Sequence, residues 1–171
     1  MTQLTVLRHA KSSWDDPALE DFNRPLNERG WKAARRMGRE MKQRGMRFDL
    51  VLASTAARVR ETIDGVQEKY NFGAPVQFEQ RIYAATEQTL LELVGALPET
   101  VRSALVVGHN PGLERLIIQL TDEDKHGFRD RVAGKFPTAG LATIELPGER
   151  WRDIEEGKGK IVELIFPKEL D

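Results

Sequence analysis

Four residues of this sequence carry side chains suited to phosphoryl transfer: Arg8, His9, Arg58 and His109. A guanidinium is a permanent cation whose planar fork of N–H donors matches the oxygens of a phosphate group. An imidazole can serve as a nucleophile or a proton carrier near neutral pH. Arg8 and His9 directly follow the apolar run at residues 4–7. The pair therefore indicates a phosphate site, although a strand that simply ends in two solvated polar residues would also explain it.

These side chains can converge only if the chain folds so that several strands end at one place. Apolar or β-branched runs predict buried strands at residues 4–7, 49–53 and 104–107, and a short strand at residues 76–78. Two later strands, at residues 141–146 and 161–166, are expected to pair antiparallel at one edge of the sheet. Strands that alternate with helices predict a three-layer α/β/α sandwich around a mostly parallel central sheet. In such a sheet ligands bind beyond the carboxyl ends of the strands.

The helices between these strands are predicted from apolar residues at helical spacing and from capping residues. They run from a cap at Asn27 to near Gly45, from a cap at Ser54 or Thr55 to about Tyr70, from near Thr86, and from Pro111 with Asn110 as its N-cap. Residues 121–137 are polar and carry no clear assignment. The Ser54, Arg58 and Thr62 positions recur at i, i+4 and i+8, which places them on one helix face. This spacing favours a pocket role for Arg58 and leaves its neighbour Arg60 as a plain surface cation.

Composition restricts the class of protein. The 171 residues, 40% of them hydrophobic and 31% charged, are expected to form a single domain over residues 1–171 with a substantial core. The formal net charge of −1 offers no global field for nucleic acid or a membrane surface, so we expect neither as a partner. No run of apolar residues suggests a signal peptide or a membrane span, and we expect a cytoplasmic monomer.

The sequence offers little for a metal, a cofactor or a general acid. It has no cysteine, and its three histidines are scattered without the spacing of a ligand set, so no metal or cofactor is predicted. His126 lies in a charged stretch and is expected at the surface. Seven carboxylates could donate a proton, but each is more often structural or solvated: Asp15, Asp16, Glu20, Asp21, Glu79, Glu87 and Glu114.

Three ordered motifs resemble those of the histidine phosphatase superfamily. They are Leu7-Arg8-His9-Ala10, Ser54-x-x-x-Arg58-x-x-x-Thr62 and Gly108-His109-Asn110-Pro111-Gly112. The compact length and two further stretches resemble its SixA-type phosphohistidine phosphatase branch: Arg24-Pro25-Leu26-Asn27-x-Arg29-Gly30 and Phe136-Pro137-Thr138-Ala139. The chain departs from the family pattern in three ways: Ala10 replaces a glycine, Asp15 falls where many relatives have a phosphate-contacting asparagine, and no long lid follows Phe78.

The resemblance implies a histidine-phosphatase-like fold and a metal-independent phosphatase that works by double displacement. His9, held neutral with one nitrogen free, would attack phosphorus, and Arg8, Arg58 and His109 would complete the phosphate pocket. The expected substrate is phosphohistidine on a signalling protein. Two alternatives stay open, namely a phosphatase of small phosphoesters and a catalytically silent phosphate-binding module.

Overall fold

A six-stranded sheet between two helical layers forms the centre of the molecule in the computed structural model, which describes residues 1–170. The strands are β1 Thr2–Arg8, β2 Leu50–Ala53, β3 Val76–Phe78, β4 Ser103–Gly108, β5 Leu141–Leu146 and β6 Lys160–Ile165. Their order across the sheet is β3-β2-β4-β1-β5-β6. The first four are mutually parallel, and β5 and β6 complete the sheet antiparallel at one side. This confirms the predicted mostly parallel sandwich and its antiparallel edge.

The five α-helices within residues 1–170 cover the two faces of the sheet. They are α1 Glu28–Gln43, α2 Ala57–Lys69, α3 Glu87–Gly95, α4 Gly112–Leu120 and α5 Phe128–Gly134. Helices α1 and α2 bury their apolar side chains on one face, and α3, α4 and α5 bury theirs on the other. Because side chains alternate along a strand, β1 supplies both cores: Leu4 and Val6 point to one face and Leu7 to the other.

Strand register brings the predicted site residues to one edge. Arg8 pairs with Gly108 across β1 and β4, and Ala53 pairs with Val107 across β2 and β4. The next residues in the chain are His9, His109 and Ser54, so three neighbouring parallel strands deliver polar side chains at the same level.

Two helix starts differ from those predicted. Helix α2 has Ala56 as its N-cap, without a side-chain hydrogen bond, because Ser54 lies two residues earlier and turns its hydroxyl towards His109. Helix α4 begins at Gly112 with Pro111 as its N-cap, and the Asn110–Pro111 peptide is cis. The Asn110 side chain still accepts the N–H of Glu114. The predicted cap at Asn27 is confirmed, since its side chain accepts the N–H of Gly30. The helix predicted to begin near Thr86 starts at Glu87, and the Thr86 hydroxyl caps it by accepting the N–H of Thr89.

The unassigned polar segment contains a short helix, α5. Its start is organised by Asp124, whose carboxylate accepts the backbone N–H groups of His126, Phe128 and Arg129. A carboxylate in this position satisfies N–H groups that the first turn of a helix leaves unpaired. The helix has seven residues, too few to show a helical period in a polar stretch.

Two glycines let α1 and α2 approach each other closely. A Cβ atom on Gly38 would lie 2.3 Å from the carbonyl oxygen of Val66, and one on Gly65 would lie 2.7 Å from the Cβ of Ala34. The contact of Gly38 is with backbone, which cannot move aside as a flexible side chain could. This close packing fixes the position of α2 on the sheet. It therefore also fixes the position of Arg58, which lies in the first turn of α2.

We therefore expect Gly38→Ala to lower the free energy of unfolding by about 1–3 kcal/mol, the usual cost of overpacking. Gly134→Ala is the matched control, because a Cβ there meets nothing within 4 Å, and its effect should stay within about 0.5 kcal/mol. Urea denaturation of both variants measures the difference. Equal stabilities would contradict the tight backbone contact.

Candidate active site

The loops that follow β1, β2 and β4 hold the two histidines side by side. The imidazole rings of His9 and His109 lie 5.3 Å apart between centroids. The N–H of His9 donates to the carbonyl of Gly108, and the N–H of Ala10 donates to the hydroxyl of Thr62. That hydroxyl donates in turn to the carbonyl of Arg58 at 2.6 Å. Thr62 thus ties the His9 loop to the first turns of α2, which explains its place on the same helix face as Arg58.

His9 is held in one tautomer. Its Nδ1 lies 2.7 Å from the carbonyl oxygen of Ala10, and a carbonyl can only accept, so Nδ1 carries the proton. Nε2 is then left with a lone pair. Burial lowers the pKa of His9 to about 4, and the neighbouring cations Arg58, Arg8 and Arg24 add to the effect. The ring is therefore neutral at pH 7, with a nucleophilic nitrogen directed towards Arg58.

Arg58 and Arg8 supply buried guanidinium groups beside this ring. The Nε of Arg58 lies 3.4 Å from Nε2 of His9, and its two Nη atoms donate to Asp21. The Nη1 of Arg8 donates to the carbonyl of Phe136, and its buried Nε has no partner among residues 1–170. An unpaired buried N–H is costly, so a ligand oxygen at this point would be favourable.

His109 has one nitrogen engaged and one available. Its Nε2 lies 2.8 Å from the Ser54 hydroxyl, whereas its buried Nδ1 has no partner in the described part of the chain. Burial is the main cause that lowers the pKa of His109 to about 3, and the neighbouring His9, Arg58 and Arg8 lower it further. A neutral ring held through Ser54 can present Nδ1 to an oxygen of a bound phosphoryl group.

The structure thus brings all four predicted residues together and adds Arg24, Tyr83 and Asp21; the sequence analysis had named Asp21 only as one of seven possible proton donors. Arg24 is buried; its Nη1 donates to the Ser12 hydroxyl, and its Nε and Nη2 donate to Asp21. The exposed indole of Trp14 covers the Arg24 guanidinium at 3.5 Å. Arg24 belongs to a motif already noted in the sequence, but nothing local distinguished Asp21 from the other acids of the same loop.

Asp15 lies elsewhere. It lines a separate surface cavity together with residues 25–29 and Trp31. Its backbone N–H donates to the Ser13 hydroxyl. The carboxylate that the sequence places near the Arg8–His9 pair therefore does not share the cavity of Arg58 and His109.

A cavity of about 310 Å³ opens beside His109, whose ring lies next to that of His9. Its lining includes Asp21, Arg58, Tyr83 and His109, together with Glu87. Among residues 1–170, no group of three or more histidine and carboxylate side chains is placed to hold a metal ion. In the same part of the chain, no helix has the length and apolar character needed to cross a membrane.

Comparison with known proteins agrees with this geometry. Residues 4–83 match the family model of the histidine phosphatase superfamily, branch 1. An uncharacterised protein from Mycobacterium tuberculosis is 33% identical over 164 residues, which cover 95% of this chain and all of the relative. The crystal structure of a candidate phosphohistidine phosphatase SixA from Agrobacterium tumefaciens superposes with a TM-score of 0.82 at 33% identity, covering 97% of this chain and 98% of that one.

A second solved structure, a candidate SixA from Nakamurella multipartitia, has a TM-score of 0.84 at 25% identity and covers 97% of this chain and 96% of its own. Each of these matches covers nearly the whole of this chain and of the protein compared with it. The chain therefore belongs to the SixA-type branch of the histidine phosphatase superfamily and is a phosphatase.

Proposed function

We propose that this phosphatase removes the phosphoryl group from phosphohistidine on a signalling protein, by way of a phosphohistidine formed on its own His9. The observation that carries the proposal is the hydrogen bond from Nδ1 of His9 to the carbonyl of Ala10, which leaves a neutral Nε2 for attack. In the first step Nε2 forms a bond to phosphorus and the bond from phosphorus to the substrate imidazole breaks. In the second step water attacks phosphorus, releases inorganic phosphate and regenerates His9.

The other site residues would stabilise the transferred group. Three oxygens of the phosphoryl group carry the charge in the transition state, and preorganised donors are most effective there. Arg8 offers an unpaired Nε–H, Arg58 offers an Nε–H directed towards Nε2 of His9, and His109 offers Nδ1. No metal ion is required in this scheme, because guanidinium groups supply the positive charge.

The size of the cavity favours a substrate whose bulk stays outside it. Small-molecule sites commonly span about 300–1,000 Å³, and this cavity lies at the lower end. The segment between β3 and α3 consists of one short turn of 3-10 helix, Gln80–Ile82, and a few further residues, so it forms no lid. A side chain that projects from another protein can enter such an opening, whereas remote contacts that would bind a small ester tightly are lacking.

The leaving group points to a phosphorus–nitrogen bond. An alkoxide requires a well-placed acid, whereas imidazole can be protonated by solvent and depart as a neutral molecule. Asp21 lines the cavity, but bonds from Tyr83, Arg24 and Arg58 hold its pKa far below the usual range. Asp21 is therefore ionised and cannot donate a proton near pH 7.

The central test is to trap the covalent intermediate. Incubation with a phosphohistidine protein followed by a rapid quench should yield phosphoryl-enzyme that is labile to acid and stable to alkali. His9→Ala should give neither adduct nor turnover, because it removes the nucleophile. The amount of adduct is measured with a substrate that carries a radiolabelled phosphoryl group. Thermal unfolding of the variant shows that it is folded.

His126→Ala serves as the control, because His126 is exposed, its ring contacts that of Phe128, and it does not line the cavity of the site. The amount of adduct in this variant should match that of the wild type. Since the pKa of His9 is near 4, adduct formation should persist from about pH 8 to about pH 5 and should not fall at the ordinary histidine value of 6.5. An active enzyme with an alkali-labile adduct would contradict the mechanism.

Arg58→Lys should reduce kcat by about 100- to 1,000-fold, which is roughly 2.7–4 kcal/mol and typical of removing one preorganised donor. Lysine retains the charge but cannot keep the three directions in which the Arg58 nitrogens donate. Arg60→Lys is the matched control on the same helix; Arg60 is exposed and covers the ring of Phe78. Equal losses in steady-state assays of the two variants would refute the assignment of Arg58.

The substrate class is tested by comparing kcat/KM for a phosphohistidine-bearing protein with that for small alkyl phosphate esters. We expect the protein substrate to be preferred by at least about 100-fold, roughly 2.7 kcal/mol of transition-state preference. The physical reason is that the ionised Asp21 cannot protonate an alkoxide and that the short segment between β3 and α3 forms no lid for a small ligand. Comparable values would favour the alternative function, a phosphatase of small phosphoesters.

A further inference from the structure

Asp21 is the acceptor that joins three side chains of the site. Its Oδ1 accepts from Nε and Nη2 of Arg24 at 3.1 and 2.8 Å. Its Oδ2 accepts from Nη2 of Arg58 at 3.1 Å and from the hydroxyl of Tyr83 at 2.6 Å. Its backbone carbonyl accepts from Nη1 of Arg58 at 2.8 Å. The residue begins a short 3-10 turn, Asp21–Asn23, which packs against α2.

Two of the cations that surround His9 share this one carboxylate. Arg24 and Arg58 are 7% and 6% exposed, and both lower the pKa of His9 by their charge. Two buried guanidinium groups repel each other and would separate or draw in solvent anions if no negative charge lay between them. Both form their ion pairs with Asp21, at 2.8 and 3.1 Å.

The orientation of Arg58 depends on Asp21 in particular. With Nη1 and Nη2 both held by the same residue, the guanidinium plane is fixed and its Nε is directed at Nε2 of His9. Arg58 is thereby placed before any substrate arrives. A donor that is already in place costs no reorganisation in the transition state, which is where such preorganisation accelerates a reaction.

We propose that Asp21 is the positioning residue of this site: its carboxylate holds Arg58 and Arg24 in the geometry that receives the phosphoryl group. The role rests on the proposed phosphoryl transfer to His9 and adds to it a residue that takes no part in bond making or proton transfer. The hydroxyl of Tyr83 donates to the same carboxylate, and the ring of Tyr83 lies 5.4 Å from that of His109.

The Asp21 side chain is 50% exposed and lines the open cavity, so a small carboxylate can take its place. Asp21→Ala should lower kcat by about 100-fold, the scale of a misplaced catalytic group, with a change in KM of less than about threefold. Sodium formate should restore a large part of the lost kcat, and sodium chloride at equal ionic strength should not. The assay uses para-nitrophenyl phosphate, whose leaving group needs no acid, so the result does not depend on the phosphohistidine substrate.

Asp15→Ala is the matched control, since it removes a carboxylate from the same loop that lines a different cavity, and its kcat should equal that of the wild type. A loss confined to KM, or a loss that formate does not reverse in a folded Asp21→Ala protein, would overturn the positioning role. Chloride rescue equal to that by formate would also overturn it.

A readout without turnover separates this proposal from the proposed function. In nitrogen-15 spectra the Nε–H signals of Arg24 and Arg58 should be sharp in the wild type, broadened in Asp21→Ala, and sharpened again by formate. If the wild type hydrolyses neither substrate yet shows this pattern, the proposed function fails, while Asp21 is still shown to hold the two guanidinium groups in place. If the signals are unchanged in Asp21→Ala, the positioning role fails whatever the activity.

Discussion

The site depends on keeping one imidazole neutral among buried cations. Burial and the surrounding guanidinium groups both oppose protonation of His9, which lowers its pKa to about 4. The bond from its Nδ1 to the carbonyl of Ala10 then determines which nitrogen keeps the lone pair. The same cations that attract a phosphoryl group therefore also preserve the nucleophile that accepts it. Their mutual repulsion has to be offset within the protein, and Asp21 provides that negative charge.

The central sheet and the two close contacts between α1 and α2, at Gly38 and Gly65, hold the site residues in position. Parallel pairing of β1 with β4 and of β2 with β4 brings three strand ends to one level. The close approach of α1 and α2 at Gly38 sets the position of Arg58, and the hydroxyl of Thr62 links that helix to the backbone of Ala10. Rigid elements of this kind hold catalytic groups more accurately than free loops do. Stability and phosphoryl chemistry therefore rest on the same backbone contacts.

The chemistry and the shape of the site agree on the kind of substrate. A carboxylate that is tied to two arginines stays ionised, so the site contains electrostatic stabilisation without an evident acid at Asp21. A short connection between β3 and α3, which carries Tyr83, leaves the cavity open towards solvent. An imidazole leaving group carried by a protein needs neither the acid nor the lid. These two features are the basis on which we propose phosphohistidine rather than a small ester.

Much of this protein was determined by its sequence alone, because apolar runs, caps and helical spacing are local signals. Those patterns predicted the order of strands and helices and selected Arg8, His9, Arg58 and His109, which the structure places together. Asp21 could not be selected in this way. It lies 37 residues from Arg58 and 62 from Tyr83 in the chain, and its loop holds several other acids that look alike in sequence. Hydrogen bonds between such distant residues exist only once the chain has folded, so tertiary structure alone decided which carboxylate faces the arginines.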